Sequence, residues 1–241
     1  MIHVLYLDRY HLGDPLFLSG FARDVLAFSR PLVLVHGAGE AAERALEAQG
    51  RFPDYDAGVL AVGTDADRAL VARTARDLNR RIVHTLNDAG VAAVRLEAGG
   101  RGLIRATDGG VEAGNAGWLQ KIVMQGAVPV VVALVGEVGG AAREANGGAV
   151  AGVLAAAFAE GGAEAQAVFL TRNGQNGLVE DDSARAEADV AAVSKEVVEE
   201  PEAVRAALAA GADVVVSGRS GLRQTPVGGT RIRASAPKKS A

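Results

Sequence analysis

Two kinds of segment alternate along the chain, distinguished by the spacing of their apolar residues. Residues 2–7 (IHVLYL) and 31–37 (PLVLVHG) are apolar at nearly every position, which is typical of strands buried on both faces of a parallel sheet. Residues 64–90 instead place apolar residues at helical spacing, between a candidate N-cap, Thr64, and a candidate stop, Gly90. This alternation predicts an α/β fold in which helices cover both faces of a mainly parallel sheet.

The second half of the chain continues the alternation. A continuous apolar run at 128–138 predicts one long buried strand, and the segments on either side of Gly99 and Gly100 predict a strand–turn–strand unit. The final residues, 235–241, are predicted to be disordered. Further helices are predicted at 16–29, 40–50, 116–127, 146–163 and 201–210, and further strands at 165–171, 213–218 and 230–234.

Composition limits the partners that this chain could have. Its 241 residues carry a formal net charge of −4, so no basic field favours nucleic acid or an anionic membrane. With 49% hydrophobic but 4% aromatic residues, the core must consist mainly of valine, leucine and alanine. No apolar run approaches the ~20 residues needed to span a bilayer, and the apolar stretch before Asp8 is too short for a signal peptide. We therefore expect a cytoplasmic protein without nucleic-acid or membrane partners.

Several common catalytic and metal-binding patterns are absent from the sequence. The chain has no cysteine, and its four histidines show no H-x-x-x-H spacing, so no metal site is predicted. No serine lies in a G-x-S-x-G context, and no G-x-x-x-x-G-K-[ST] motif occurs. These absences argue against a hydrolase triad and against a P-loop.

A glycine-rich turn between a strand and a helix is the clearest candidate for chemistry. Residues 37–42 (GAGEAA) match the G-x-G-x-x-G/A fingerprint of dinucleotide-binding turns, which present backbone N–H groups to an anion. Two ligands fit such a turn: the diphosphate of NAD, or a small carboxylate that receives phosphate. The acid expected about 20 residues further on for NAD is not evident, since Asp54, Asp56 and Asp65 do not plainly end a second strand. A tight turn that binds no ligand is the third alternative.

His36, directly before this turn, belongs to the first of five segments that resemble the amino acid kinase family, and within it the acetylglutamate kinases. In that family a strand ending in Val-His-Gly-Gly-Gly holds the carboxylate that accepts phosphate. The resemblance implies a three-layer α/β sandwich, with an acceptor-substrate and dimerisation lobe at 1–120, a nucleotide-binding lobe at 121–234 and the disordered tail at 235–241. The resembling segments follow the family's order over nearly the whole chain: 14–40, 79–106, 125–159, 167–178 and 228–234.

The resemblance also implies a reaction, a cofactor and an assembly. The reaction is ATP-dependent phosphoryl transfer, with Mg²⁺, to the carboxylate of a small amino acid or acyl-amino acid. The assembly is a homodimer, in which we expect Ala72, Ala75 and Ile82 of the 65–89 helix to pack against a second copy. The implied substrate-binding residues are His36, Gly37, Ala38, Gly39 and Asn146, and the implied nucleotide-binding residues are Thr171, Arg172, Asn173 and Gly174.

Several positions depart from the family's catalytic pattern. The family's Lys-x-Gly-Gly at the end of the first strand is replaced by residues 6–9 (YLDR), and its substrate-binding arginine by Val62. The aspartate that organises the catalytic lysines is replaced by Gly148, and the second lysine by Glu199 or Glu200. Since phosphoryl transfer depends on cations placed where charge develops, these replacements predict very weak or absent activity.

Three cations remain as candidates for the missing catalytic groups. They are Arg9, Arg172 and Lys195, and the arginine fork is suited to phosphate oxygens. Two alternatives to a working kinase stay open: a paralogue that binds an amino acid or a nucleotide without transferring phosphate, and an NAD-binding module at residues 37–42.

Overall fold

An eight-stranded sheet lies at the centre of the computed structural model, which describes residues 1–136, 142–180 and 183–235. Numbered in chain order, its strands are β1 (Ile2–Leu7), β2 (Leu32–His36), β3 (Ala93–Glu97), β4 (Val128–Val132), β5 (Ala165–Leu170), β6 (Glu187–Asp189), β7 (Val214–Ser217) and β8 (Thr230–Arg233). They lie in the order β6-β8-β7-β5-β1-β2-β4-β3, and every neighbouring pair is parallel except β7 with β8. This confirms the predicted α/β fold with a mainly parallel sheet.

Helices and hairpins connect these strands. The helices are α1 (Arg9–Gly13), α2 (Phe17–Ala27), α3 (Gly39–Glu47), α4 (Asp65–Asp88), α5 (Gly117–Met124), α6 (Gly147–Glu160), α7 (Pro201–Ala209) and α8 (Arg219–Leu222), with short 3₁₀ turns at Gly100–Gly102 and Val190–Ala192. Antiparallel hairpins pair Tyr55–Asp56 with Val59–Leu60, Ile104–Thr107 with Gly110–Ala113, Leu134–Gly136 with Ala142–Glu144, and Val179–Glu180 with Ser183–Ala184. No helix within the described ranges is long and apolar enough to cross a membrane.

The central strand β1 explains the three layers. Ile2, Val4 and Tyr6 pack in one apolar cluster with α5, α6 and α7, whereas Leu5 and Leu7 pack in another with α2 and α4. Successive side chains of a strand point to opposite faces of the sheet, so apolar residues at every position need a helical layer on each face. The fold is therefore the three-layer sandwich that the sequence predicts.

The long helix is placed as the sequence predicts. Thr64 caps the N-terminus of α4 by accepting a hydrogen bond from the backbone N–H of Asp67, and the helix ends before Gly90. Ala72, Ala75 and Ile82 are buried inside the chain itself, so the dimer contact expected of these three residues is wrong. The homodimer stays a prediction.

One further strand prediction is confirmed and another is wrong. The segments on either side of Gly99 and Gly100 form β3, a turn with a short 3₁₀ helix, and the strand Ile104–Thr107, which is the predicted strand–turn–strand unit. The run at 128–138 divides at Ala133, beyond which Leu134–Gly136 leaves the central sheet to pair with Ala142–Glu144. There the hairpin partner overrides the continuous apolar pattern.

The predicted lobes share the central sheet. β4 follows residue 120 but lies between β2 and β3, which precede it. The division at 1–120 and 121–234 stays a prediction. Of the predicted disordered tail, residues 236–241 lie outside the described residues, as do 137–138 of the long apolar run.

Candidate functional site

Five segments meet at the carboxyl edge of the parallel strands. The loops after β1, β2 and β5 begin at this edge, and the N-termini of α6 and α7 approach it. Gly147, at the start of α6, lies against the ring of Tyr6, and Glu200, the N-cap of α7, bonds to the hydroxyl of Tyr6. In open α/β sheets ligands bind outside this edge, which makes it the candidate site.

The glycine-rich turn after β2 holds a carboxylate from elsewhere in the chain. The backbone N–H of Ala38 donates to Oε1 of Glu144 across 2.5 Å. A Cβ on Gly37 would lie 2.6 Å from the same oxygen, so the approach of Glu144 requires glycine at this position. The turn thus has the anion-holding geometry expected of it, and its anion is a residue 106 positions away. Binding of a ligand anion at the turn stays a prediction.

Glu144 lies in an acidic environment. Burial raises its pKa to about 7, the N–H groups of Ala38 and Leu60 oppose this rise, and the carboxylate of Glu200 adds to it. Burial likewise raises the pKa of Glu200 to about 7, against the hydrogen bond from Tyr6. Two buried carboxylates with raised pKa values therefore lie at this edge of the sheet.

His36 lies beneath the turn and supports it. The ring is fully buried, with Nδ1 2.7 Å from the carbonyl oxygen of Gly37 and Nε2 2.9 Å from the amide nitrogen of Asn79. Because Nδ2 of Asn79 can only donate, Nε2 accepts and the ring proton lies on Nδ1. Burial lowers the pKa of His36 to about 4, so the ring is neutral at pH 7. Its side chain can act on a ligand only through the position of the turn.

The end of β1 forms a second contact network across the edge. The hydroxyl of Tyr6 donates to Oε2 of Glu200 across 2.6 Å. Arg9 lies over the ring of Tyr55, 4.1 Å from its centroid, and pairs with Glu199 at 3.2 Å. The space left among these residues and the turn is only about 20 Å³, enough for about one water molecule.

Arg172 joins the same acidic residue. Its Nε lies 3.3 Å from Oε2 of Glu199, and its guanidinium stacks on Tyr10, 4.7 Å from the ring centroid. Of the three candidate cations, Arg9 and Arg172 therefore meet at one carboxylate. The backbone carbonyl of Lys195 accepts from Arg172, and its side chain is exposed.

The other predicted nucleotide-site residues form a loop closed by its own hydrogen bonds. Thr171 is buried and donates through its hydroxyl to the carbonyl of Gln175 at 2.7 Å. Asn173 exchanges hydrogen bonds with the side chain and the backbone of Gln175. Gly174, with a φ of 72°, makes the tight turn that this closure needs.

Asn146 connects helix α6 to the Tyr55–Leu60 hairpin. Its side-chain oxygen accepts from the N–H of Ala149, and its amide donates to the carbonyl of Ala57 at 2.6 Å. Beside it lies an open pocket of about 400 Å³. The pocket is lined by aliphatic residues of the hairpin, of α4 and of the Gly110–Ala113 strand, and by five polar or charged side chains: Asp56, Arg68, Arg143, Glu144 and Asn146.

Metal ligands are not clustered at this edge. Among residues 1–136, 142–180 and 183–235, no group of three or more histidine, aspartate or glutamate side chains is placed to hold a metal ion.

The sequence and the structure of the chain were compared with those of known proteins. No protein-family model matches the chain. It is 29% identical over 170 residues to the acetylglutamate kinase of Chloroflexus aurantiacus, a match covering 66% of this chain and 67% of that protein. In structure it is similar to N-acetylglutamate synthase from Neisseria gonorrhoeae (TM-score 0.72, 20% identity, 98% of this chain and 60% of that one). It is also similar to aspartate kinase from Synechocystis (TM-score 0.68, 18% identity, 98% and 40%).

These comparisons support the resemblance of the chain to the amino acid kinase family. The structure shows what surrounds two of the positions at which the chain departs from the family pattern. At the position of the family's first lysine stands Tyr6, whose hydroxyl bonds to Glu200. At the position of the organising aspartate stands Gly148, where even a Cβ would meet the backbone of Ala203 in α7. Helix α7 thus fills the space that an aspartate side chain would need.

Sequence reasoning missed the residue that occupies the turn. Glu144 was not singled out because its partner, Ala38, is brought to it only by the tertiary fold. Arg68 was also missed: its guanidinium donates to the carbonyl of Val62, which has the sequence position of the family's substrate arginine. An arginine close in sequence to a vacant arginine position is the signal that could have found it.

Proposed function

We propose that this amino acid kinase family protein binds a small carboxylate ligand and does not transfer phosphate to it. The observation that carries this proposal is the pairing of Arg9 and Arg172 with Glu199, beside Glu200 and Glu144. Cations that already neutralise a carboxylate, at a site containing two further acids, are poorly placed to stabilise the charge that develops in phosphoryl transfer.

The residues present do not fit Mg²⁺-ATP. In the loop at 171–174, the side chains of Thr171 and Asn173 form hydrogen bonds with Gln175. The family's lysine positions hold a tyrosine and glutamates, and the aspartate position is closed by Ala203. We therefore derive no phosphoryl-transfer step for this chain.

Ligand binding is favoured by a different part of the site. The pocket of about 400 Å³ beside Asn146 has the size and the mixed apolar and polar lining of small-molecule sites. Its charged residues include two arginines, Arg68 and Arg143, which are suited to a carboxylate.

The alternative is a working kinase, favoured by the 29% identity to an acetylglutamate kinase. A coupled ADP-release assay with Mg²⁺-ATP and a panel of N-acetylglutamate, glutamate, aspartate and neutral amino acids separates the two. Thermal shifts with the same acids, and with ATP, ADP and NAD, are measured in parallel.

We expect stabilisation by one of the acids and no acid-dependent ADP release, with an active acetylglutamate kinase as the positive control. Turnover near the ~1–100 s⁻¹ usual for kinases would overturn the proposal. Stabilisation by NAD in the absence of any effect of the acids would favour the dinucleotide alternative.

A further inference from the structure

The pocket beside Asn146 carries charges of both signs on an apolar surface. Its floor is aliphatic and includes Val59, Leu60, Val62, Val71 and Val111. On this surface lie the guanidinium groups of Arg68 and Arg143 and the carboxylate of Glu144. A fourth charge, Asp56, is exposed to solvent on the hairpin and is therefore screened by water.

Glu144 excludes a second negative group from the inner part of this pocket. Its carboxylate already accepts the N–H of Ala38, which is the donor that an incoming carboxylate or phosphate would need. A ligand anion placed there would face both this carboxylate and that of Glu200. A ligand ammonium group would instead place a positive charge beside Glu144.

Arg68 is suited to the other end of such a ligand. One of its nitrogens bonds to Oδ1 of Asp65 at 2.5 Å, but the Asp65 side chain is 89% exposed. A pair of this kind, between a guanidinium and a solvated carboxylate, is worth little and exchanges readily. A ligand carboxylate in the pocket can therefore take the place of Asp65 on the guanidinium.

From these placements we infer that the ligand of this pocket is a free α-amino acid with an aliphatic side chain, its ammonium on Glu144 and its carboxylate on Arg68. The inference rests on the proposed function and specifies it. It sets this chain apart from proteins whose acceptor is N-acylated, because acylation removes the ammonium charge. Glutamate is expected to bind less tightly, because its second carboxylate would lie near Glu144 or on the aliphatic floor, and Arg143 already has an interaction of its own.

Four probes that differ by one group each test the inference by calorimetric titration of the full chain. They are L-leucine, N-acetyl-L-leucine, L-glutamate and 3-methylbutylamine, which is leucine without its carboxylate. L-leucine is expected to bind about tenfold or more tightly than each of the others, since each charge-assisted hydrogen bond contributes about that factor.

Three variants assign the two ends. Glu144→Gln keeps an oxygen for the N–H of Ala38 but removes the charge, so it should weaken L-leucine about tenfold and leave N-acetyl-L-leucine within about threefold. Arg68→Met should weaken the binding of both L-leucine and N-acetyl-L-leucine, which carry a carboxylate, and leave the binding of 3-methylbutylamine unchanged. Arg80→Met is the matched control, because Arg80 also pairs with an aspartate three residues earlier on the exposed face of α4 but does not line the pocket.

Tighter binding of N-acetyl-L-leucine or L-glutamate than of L-leucine would overturn the inference and leave the proposed function standing. So would an unchanged L-leucine affinity in Glu144→Gln. Absence of L-leucine binding at 10 mM would also overturn it. Failure of the proposed function has a separate readout, since it appears as acid-dependent ADP release whichever probe binds.

Discussion

The hydroxyl of Tyr6 and the carboxylate of Glu200 join two segments 194 positions apart across the carboxyl edge of the sheet. Tyr6 is the last of the β1 residues that pack against α6 and α7, and Glu200 is the N-cap of α7. The contact therefore connects β1 to helix α7. In the family pattern a lysine stands at the position of Tyr6, and a second lysine stands at the position of Glu199 or Glu200. Here a buried tyrosine hydroxyl and a buried glutamate take these positions, and their hydrogen bond spans the edge of the sheet.

Removing the Tyr6 hydroxyl is expected to destabilise the fold. Tyr6→Phe leaves the Glu200 carboxylate, 7% exposed, without its donor, which typically costs about 1–3 kcal/mol. Urea unfolding at pH 8, where Glu200 is ionised, measures the loss. Tyr10→Phe is the control, since Tyr10 is an exposed tyrosine of the same segment, and it should change the free energy of unfolding by less than about 0.5 kcal/mol. An equal effect of the two substitutions would contradict the role given to Tyr6.

The position of the missing aspartate is expected to reject that residue. In Gly148→Asp the new side chain must displace Ala203 and with it α7, so we expect a loss of about 2 kcal/mol or more and no gain of ADP release. Gly117→Asp is the control, because Gly117 begins α5 with nothing within 4 Å of its added Cβ, and an acid in a first helical turn is favourable. A stable Gly148→Asp variant with kinase activity would show that α7 yields at this point.

The pH dependence of stability contains two opposing contributions. Glu144 and Glu200, with pKa values raised to about 7, bind more protons when folded than when unfolded from about pH 4.5 to 7, so their contribution falls as pH rises. His3 and His36, with pKa values lowered to about 4, bind fewer protons when folded from about pH 4 to 6.5, so theirs rises. The two nearly cancel between pH 4.5 and 6.5.

The cancellation is tested by removing the contribution of the two glutamates. In the Glu144→Gln, Glu200→Gln double variant, the free energy of unfolding should rise between pH 4.5 and 6.5, by at most about 1.4 kcal/mol per pH unit for each histidine. The wild type should be nearly flat over the same range. Glu112→Gln, a change at an exposed acid, should leave the wild-type profile intact. A flat profile in the double variant would contradict the lowered pKa values of the histidines, and a rising profile in the wild type would contradict the raised pKa values of the glutamates.

The protonation of His36 is open to direct observation. Long-range ¹H–¹⁵N NMR at pH 7 is expected to find the ring proton on Nδ1, which donates to Gly37, and none on Nε2. In Asn79→Asp a carboxylate replaces the amide next to Nε2, so the pKa of His36 should rise above its ordinary 6.5. A proton on Nε2 in the wild type would contradict the hydrogen-bond arrangement beneath the turn.

Local pattern was sufficient for the framework of the fold. The cap at Thr64 and the stop before Gly90 delimit α4, and the apolar runs of β1 and β2 mark strands buried on both faces. Local pattern failed at Ala133, where the chain leaves the central sheet for a hairpin without any change in apolar character.

The candidate site was harder to predict than the fold. The turn at Gly37 and the N-cap at Asn146 could be found because each is a short-range feature. The occupant of the turn could not, since Glu144 reaches Ala38 only after the hairpin Leu134–Gly136/Ala142–Glu144 leaves the sheet. The pairing of Arg9 with Glu199 likewise depends on β1 and α7 being neighbours in space.

Single-turnover trapping tests the central claim most directly. The protein, at a concentration above that of γ-labelled ATP, is mixed with Mg²⁺, hydroxylamine and the acid that stabilises it most, so that any acyl phosphate is captured as the hydroxamate. Binding without phosphoryl transfer predicts no hydroxamate above a protein-free control, although the acid binds. One equivalent of hydroxamate, formed together with one equivalent of labelled inorganic phosphate as hydroxylamine displaces the transferred phosphate, would contradict it.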